Sequence, residues 1–511
     1  LTLMSKIFEI IATHAKIHPN KIAVFEYQGD QLSYKQLVAS VKNRFESLQY
    51  IINPGKNRVA ICLHEGLEIP IIILALNILQ VPIIPLNPNL KSKQLENLLD
   101  ACDVDVIITN DLTHGLFSHL YDCYNVIDLN TLNESSDSSN SNSNINIQGN
   151  YKEFLITLSS GSTGDPKPIV FSEQNKINRS QQAVKLFNIN NDDVVLCASP
   201  FFHSLGQRLT FLPLLIGGTL VQLPNFTVKK WVDAVIRHKV TFTIPVSTHL
   251  HVLAEHLIRF PEKFKSLRSI VSSSASIDAD VKLNLFNKLN CNFYEMYGAS
   301  EVATATVLNK RQAIKKNNSV GLPCTGVKVK VIDQDLIDCK PMITGKIIVK
   351  SSLVASYYKL EKISKKSFVN DYFITGDLGY LDTDGYLYFV DREKDLIISG
   401  GANIYPSDVE FHINNNRYVD ICVVIGIKDL YLGEVVVVVI VSKEKDKIMV
   451  ESNIRSVLRQ ELSSNQQPVK YFFKESLPYT ASGKIDRKLI QRELNSLGLD
   501  LTKKLRQIQK I

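Results

Sequence analysis

The sequence lacks most of the features that assign a class at a glance. Its eight cysteines, Cys62, Cys102, Cys123, Cys197, Cys291, Cys324, Cys339 and Cys422, include no CxxC pair and keep no regular spacing. That argues against a zinc cluster or a disulfide framework and fits a reducing cytoplasm. His249, His251 and His256 lie close together but lack HExxH spacing and share no single helical face, so they read as incidental rather than as metal ligands. No long apolar run is present. The most apolar segment, Ile71 to Val81, is too short to cross a bilayer and is closed by Pro82, Pro85 and Pro88, so a buried helix entering a strand is expected. Near the N-terminus Glu9, His14 and Lys16 break the apolar stretch after Lys6, and no export signal is expected. Charge of one sign is scarce too: 58 basic and 51 acidic residues give +7, densest at Lys503 to Arg506, which suits a solvated basic tail better than a nucleic-acid surface. No internal repeat is visible.

What is present is ample material for a core. A chain of 511 residues with 45% hydrophobic and 21% charged content is too long for one ordinary core, so two or more domains are expected. Short strands such as Val59–Cys62, Val104–Thr109, Val194–Ala198, Phe242–Pro245 and Ser269–Val271 alternate with helical stretches such as Val228–Arg237 and Ala279–Leu289, the rhythm of an α/β layer. A polar tract, Asn133 to Asn144, interrupts it as a surface loop. From Val327 onward β-branched alternation at Val327–Ile332 and Gly345–Lys350 suits a more antiparallel, barrel-like element. Tyr380–Val390 then reads as a hairpin around Thr383-Asp-Gly385. The charged run Asp391 to Lys394 marks the domain boundary. It gives a large domain over 1–391, a hinge at 392–394 and a small α+β domain over 395–511.

The most informative stretch is Thr157-Leu-Ser-Ser-Gly-Ser-Thr-Gly-Asp-Pro-Lys167, which follows the apolar run Phe154-Leu-Ile156. A strand ending in such a loop exposes backbone N–H groups, and the hydroxyls of Ser160, Ser162 and Thr163 stand beside the charge of Lys167, with Gly161 and Gly164 keeping the chain supple. That chemistry suits a nucleotide triphosphate. The P-loop pattern is excluded, because Pro166 stands where it requires glycine and Pro168 follows Lys167.

Further motifs follow in order: Ser199-Pro-Phe-Phe-His203, Tyr297-Gly-Ala-Ser-Glu301, Thr375-Gly-Asp377, Asp391-Arg-Glu-Lys394, Ser399-Gly-Gly-Ala-Asn-Ile-Tyr-Pro406 and Ser482-Gly-Lys484-Ile-Asp-Arg487. With the loop, they make the chain resemble the adenylate-forming superfamily of acyl-CoA synthetases, nonribosomal adenylation domains and beetle luciferase. Some departures stand out. Pro168 replaces the last glycine of the family's loop, Ser399 stands where a basic residue is common, and Lys346 where a glutamate is common. Ser272 to Ser276 replaces a usual Gly-Gly-Ala.

The resemblance implies a large ATP- and acid-binding domain of layered α/β subdomains and a small mobile domain carrying the catalytic lysine. It also implies ATP, Mg²⁺ and a thiol, either CoA or a carrier-protein phosphopantetheine. It assigns Lys484 to the α-phosphate and the incoming carboxylate, and Glu301 to Mg²⁺, with Gly298 and Ser300 beside it at the nucleotide. Tyr297 offers its face to adenine, and Asp377 and Arg392 hold the ribose. Lys394 is the hinge, and Gly400 and Gly401 line the thiol passage. His203 stands where acyl- and aryl-CoA ligases commonly carry histidine, which favours an acid without an α-amine.

The leading expectation is therefore a stand-alone acid–thiol ligase acting on an aryl or fatty acid, with no nucleic acid and no membrane span. An acyl-AMP ligase serving an acyl carrier protein and an amino-acid-adenylating enzyme share the nucleotide residues and differ in thiol or acid. A nucleotide-binding pseudoenzyme is the reading from another class. The presence of Lys484, Glu301, Asp377 and Arg392 counts against it.

Overall fold

The computed structural model describes residues 5–64, 66–90, 92–134, 152–158, 167–273, 279–357, 365–429, 432–480 and 484–497. The chain divides into two compact units. One comprises Leu1–Lys328 with Val349–Phe373, and the other Val329–Ile348 with Ile374–Ile511.

The first unit holds two sheets. A nine-stranded sheet runs in the order Leu322–Pro323, Ala303–Asn309, Asn292–Ala299, Ser269–Ser272, Phe242–Thr243, Val194–Cys197, Thr219–Gln222, Ile22–Glu26 and Gln31–Ser33. Its central strands, from Asn292–Ala299 to Ile22–Glu26, are parallel, and antiparallel pairs close both edges. A seven-stranded sheet places Leu155–Leu158 beside Ile83–Pro85, Val59–Cys62, Val106–Thr109 and Asn125–Asp128, again parallel. Val59–Cys62 and Val106–Thr109 are buried at every residue, as expected of strands covered on both faces. The helix Glu68–Ile78, buried from Ile69 to Ile78, is apolar all round because it lies inside the core. By contrast Val228–Arg237 buries only Trp231, Ala234 and Val235, one stripe of a surface helix capped by Thr227.

In the second unit the strands Val419–Asp429 and Gly433–Ser442 form a long antiparallel hairpin. Its run of valines does not alternate with polar residues because both faces are covered. Val436, Val438 and Ile440 pack with Val409, Ile413, Val450, Ile454 and Leu458, whereas Val435, Val437 and Val439 pack with Leu477, Ile490 and Leu494.

The antiparallel element expected after Val327 is a five-stranded sheet, with no barrel closure among the described residues. The hairpin around Thr383-Asp-Gly385 forms as expected, joining Tyr372–Leu381 to Leu387–Arg392. Parts of this element, 329–348 and 374–391, group with the second unit rather than with the residues that precede them. The link is specific: Ser407 N donates to Asp391 Oδ2 at 3.0 Å and Ser407 Oγ to Val390 O at 2.9 Å, which ties the last strand to the helix Pro406–Asn414. The polar tract Asn133 to Asn144 lies outside the described residues, apart from its first two, which end the helix Leu129–Glu134.

Candidate active site

In open α/β sheets, ligands collect beyond the carboxyl ends of parallel strands, above all where the chain reverses its direction of travel across the sheet. Val194–Cys197 is such a point. The chain leaves it through the helix Ser204–Ile216 to pair Thr219–Gln222 on one side, then returns through Val228–Arg237 to pair Phe242–Thr243 on the other. The Ser199–His203 motif follows this strand directly. Ser272 ends the strand Ser269–Ser272, two places along the sheet, Tyr297–Glu301 overlaps the end of Asn292–Ala299, and Leu155–Leu158 in the other sheet ends at the phosphate loop. Each motif of the first unit therefore sits at a strand's carboxyl end.

The Tyr297–Glu301 motif is built on a β-bulge between Tyr297 and Gly298. A Cβ on Gly298 would lie 1.9 Å from Ala303 O, so only glycine fits. Tyr297 is buried. After the last ladder pair, Ala299–Ala303, the chain turns, and side chains of a helix take over the turn's carbonyls. Arg179 Nη1 donates to Ser300 O at 2.7 Å, and its Nη2 to Glu301 O at 2.8 Å and Leu353 O at 2.7 Å. Ala355 N also donates to Glu301 O at 2.8 Å, and Gln182 Nε2 to Thr304 O at 3.0 Å. Glu301 is thus a carboxylate on a fixed turn, a donor that suits Mg²⁺. No group of three or more His, Cys, Asp or Glu able to hold a metal stands among the described residues. A Mg²⁺ ion here would take its other ligands from phosphate and water, as that ion commonly does.

His203 occupies the N-cap position of Ser204–Ile216, and its ring centroid lies 4.6 Å from that of Phe202. One turn into that helix, buried Gln207 accepts from Thr157 Oγ1 at 3.0 Å and from Lys176 Nζ at 2.6 Å. It thereby joins the His203 helix to the strand that feeds the phosphate loop. Burial, with Arg179 and Arg208 nearby, holds the Lys176 ammonium well below the usual lysine range. Lys167 is half-buried at the start of Pro168–Phe171. Ser160, Gly161, Ser162, Thr163 and Gly164 lie outside the described residues, as do Ser274, Ala275 and Ser276.

In the second unit Asp377 and Arg392 face each other across paired strands, with Arg392 Nε 3.1 Å from Asp377 Oδ1. Asp377 N donates to Thr375 Oγ1, which in turn donates to Ile347 O at 2.9 Å. The Thr-Gly-Asp motif is therefore a local brace. Lys394 is central in the 3₁₀ turn Glu393–Asp395. Burial lowers its ammonium below the ordinary range, Asp395 opposing this and Arg392 adding to it. Lys346, where the family commonly has glutamate, pairs with Glu393 at 2.9 Å. Gly400 and Gly401, with φ of +56° and +83°, form the two-residue turn of the hairpin Ile397–Ser399 and Ala402–Ile404, so the turn alone accounts for both. Lys484 is bonded to Thr480 on both sides of its peptide unit: Thr480 N donates to Lys484 O at 2.7 Å and Lys484 N to Thr480 Oγ1 at 3.2 Å. Behind it Arg487 grips half-buried Glu410 through two bonds of 2.6 and 2.7 Å and donates to Val424 O.

Sequence reasoning missed Arg179, Gln207 and the structural part of Arg487. A signal for the first existed. Lys176, Ser180, Ala183 and Phe187, with Arg179 alongside, make the buried face of the helix Glu173–Phe187, and two cations at core positions need partners.

Similarity to known proteins agrees with this geometry. The AMP-binding enzyme family matches residues 11–359, and the AMP-binding enzyme C-terminal domain matches residues 408–484. A 2-succinylbenzoate–CoA ligase of Bacillus subtilis strain 168 is 28% identical over 477 residues, spanning 93% of this chain and 95% of that protein. The solved o-succinylbenzoate CoA synthetase (MenE) of Bacillus subtilis, in complex with the acyl-adenylate OSB-AMP, superposes with a TM-score of 0.83 at 27% identity, over 94% of this chain and 97% of that one. The same enzyme with ATP and a magnesium ion gives 0.82 at 27% identity, over 94% and 98%. The chain belongs to the AMP-binding enzyme family, the adenylate-forming group that its ordered motifs resemble.

Proposed function

We propose that this chain is an AMP-forming carboxylate–CoA ligase acting on an aryl or aliphatic acid. A carboxylate oxygen attacks the α-phosphorus of ATP and pyrophosphate leaves. The sulfur of CoA then attacks the acyl carbon and AMP leaves. Both first reactants are anions, so the site must neutralise charge and fix the line of attack. Lys484 does this at the α-phosphate and carboxylate, Lys167 and the 160–164 loop at the outer phosphates, and Glu301 with Gly298 and Ser300 at the metal–phosphate side. Bound Mg²⁺ would add neutralisation of phosphate charge. Asp377 accepts from the ribose hydroxyls with Arg392 beside it, and Tyr297 faces adenine. Lys394 is the pivot between the adenylating and thioester-forming poses, and the Gly400–Gly401 turn borders the thiol.

The observation that carries this reading is the Asp377–Arg392 pair at 3.1 Å, a hydroxyl-reading acceptor and donor preset on adjacent strands in a chain aligned over 93% of its length with a CoA ligase. His203 beside Phe201 and Phe202 offers nothing that would neutralise an ammonium group, so α-amino acids are poor substrates. A reducing cytoplasm is the compartment we infer, supported by eight cysteines without a CxxC pair or regular spacing. Among the described residues no helix is long and apolar enough to cross a membrane.

Pyrophosphate release across a panel of acids, with mass spectrometry of the product formed from CoA or from a phosphopantetheinylated carrier protein, tests the proposal. Acyl-CoA from an aryl or aliphatic acid is the expected product. A strongest response from an α-amino acid, or acyl transfer to the carrier alone, would overturn it.

A further inference from the structure

We infer that Arg179 is a positioning residue for Glu301, fixing the turn on which the metal-facing carboxylate stands. The inference deepens the reading of Glu301 as the Mg²⁺ residue and rests on it. The geometry is unusual for a structural arginine. The side chain is 4% exposed, and it makes no ion pair among the described residues. Its guanidinium spreads over three backbone carbonyls, those of Ser300, Glu301 and Leu353, at 2.7 to 2.8 Å. Asn175, one turn earlier on the same helix, donates to the same Leu353 oxygen at 3.2 Å, and the face of Phe171 lies 4.6 Å from the guanidinium carbon.

A buried cation whose hydrogen bonds all go to carbonyl dipoles is costly to desolvate. What it supplies is geometry: one planar fork holds two successive carbonyls of the Glu301 turn and a third from a separate segment. The Ser300 and Glu301 carbonyls belong to the turn that follows the last ladder pair, Ala299–Ala303, where Ala303 at φ +64° turns the chain back. No neighbouring strand can hold them. The helix that carries Arg179, Glu173–Phe187, follows the strand Pro168–Phe171 and so the phosphate loop. Arg179 therefore ties the element downstream of the phosphate loop to the turn bearing the metal carboxylate. Glu301 in return favours the charged guanidinium, while burial and Arg208 lower it to about 9.

The test compares the intact enzyme with Arg179→Met, which keeps length and loses the fork, and Arg179→Lys, which keeps charge but reaches fewer carbonyls. ATP affinity is read by calorimetry with Mg²⁺ and with EDTA, alongside the KM for the acid. Arg179→Met should lose about tenfold of the Mg²⁺-dependent gain in ATP affinity, the scale of removing a partner behind a metal ligand. Arg179→Lys should lie between, and the KM for the acid should stay unchanged. Loss of activity at unchanged Mg²⁺-dependent affinity would mean a merely structural arginine and would overturn the inference. Glu301→Gln separates the two readings. If it leaves the Mg²⁺ gain intact, the assignment of Glu301 falls. If it abolishes the gain and both Arg179 variants keep it, only the Arg179 inference falls.

Discussion

Replacing Asp377 by alanine should separate nucleotide binding from stability. The Asp377 side chain is 2% exposed and that of Arg392 is 42% exposed, with 3.1 Å between their charged atoms. Deleting the carboxylate leaves a guanidinium that water already reaches, so the lost pair is worth no more than about 1 kcal/mol, as for surface pairs. The desolvation cost of the buried carboxylate disappears with it. The fold should therefore lose about 1 kcal/mol or less. Two ribose hydroxyls donating to that carboxylate are charge-assisted hydrogen bonds worth about 1.5–3 kcal/mol each. Together they make about 3–6 kcal/mol, or between about a hundredfold and ten-thousandfold in affinity at 1.4 kcal/mol per decade. Calorimetric titration with ATP and urea unfolding of the same preparation measure the two quantities. A variant that loses several kcal/mol of stability yet binds ATP within a factor of about three of the parent would show that Asp377 serves the sheet and not the sugar.

Lys484→Ala should slow acyl-AMP formation by about a hundredfold or more, the scale of losing a charge-stabilising donor, while thioester formation from supplied acyl-AMP survives; equal losses in the two half-reactions would refute that division of labour. Lys394→Pro fixes φ in the 3₁₀ turn Glu393–Asp395 and should spare one half-reaction while suppressing the other, so normal overall turnover would remove the pivot. His249, stacked on Phe226 at 3.6 Å and lowered by burial to about 4, takes up its proton more readily when unfolded. Its contribution, no more than about 3 kcal/mol, is complete above about pH 6.5 and is lost as pH falls toward 4. His249→Phe should flatten the acid limb of stability in urea titrations from pH 7 to 4, and an unchanged limb would assign it to other groups.

The legible parts of the fold were those where periodicity and burial coincide. Val59–Cys62, Gly345–Lys350 and Val228–Arg237 fall where the pattern puts them, because nothing outside the segment decides their ends. Elsewhere tertiary bonds moved the ends. Val104 reads as a strand residue, but its N–H closes the preceding helix onto Leu99 O after Asp103 enters the left-handed region, and the strand starts at Val106. The apolar run Ile421–Ile425 is only part of a strand that reaches Asp429, because the ladder with Gly433–Ser442 continues that far, and Lys428, apolar in no sense, is carried along by its partner Glu434 across the strands.

The same division runs through the candidate site. Motifs announce residues whose neighbours in sequence are also their neighbours in space, such as Lys484 with its partner Thr480 or the Gly400–Gly401 turn. They are silent about support that arrives from elsewhere. Arg179 reaches Ser300 across a sequence separation of 121 residues, and Thr157 reaches Gln207 across 50. Neither partner pair has a local signature, because a carbonyl oxygen belongs to every residue and only the fold decides which one is left without a ladder. The buried cations Lys176 and Arg179 lie on the helix that follows the phosphate loop, and what they grip is one helix start and one turn, both at strand ends. Substitutions there should act on how the reacting groups are held rather than on which groups react. That is why the chemistry of this chain could be read from its loops while its geometry could be read only from its core.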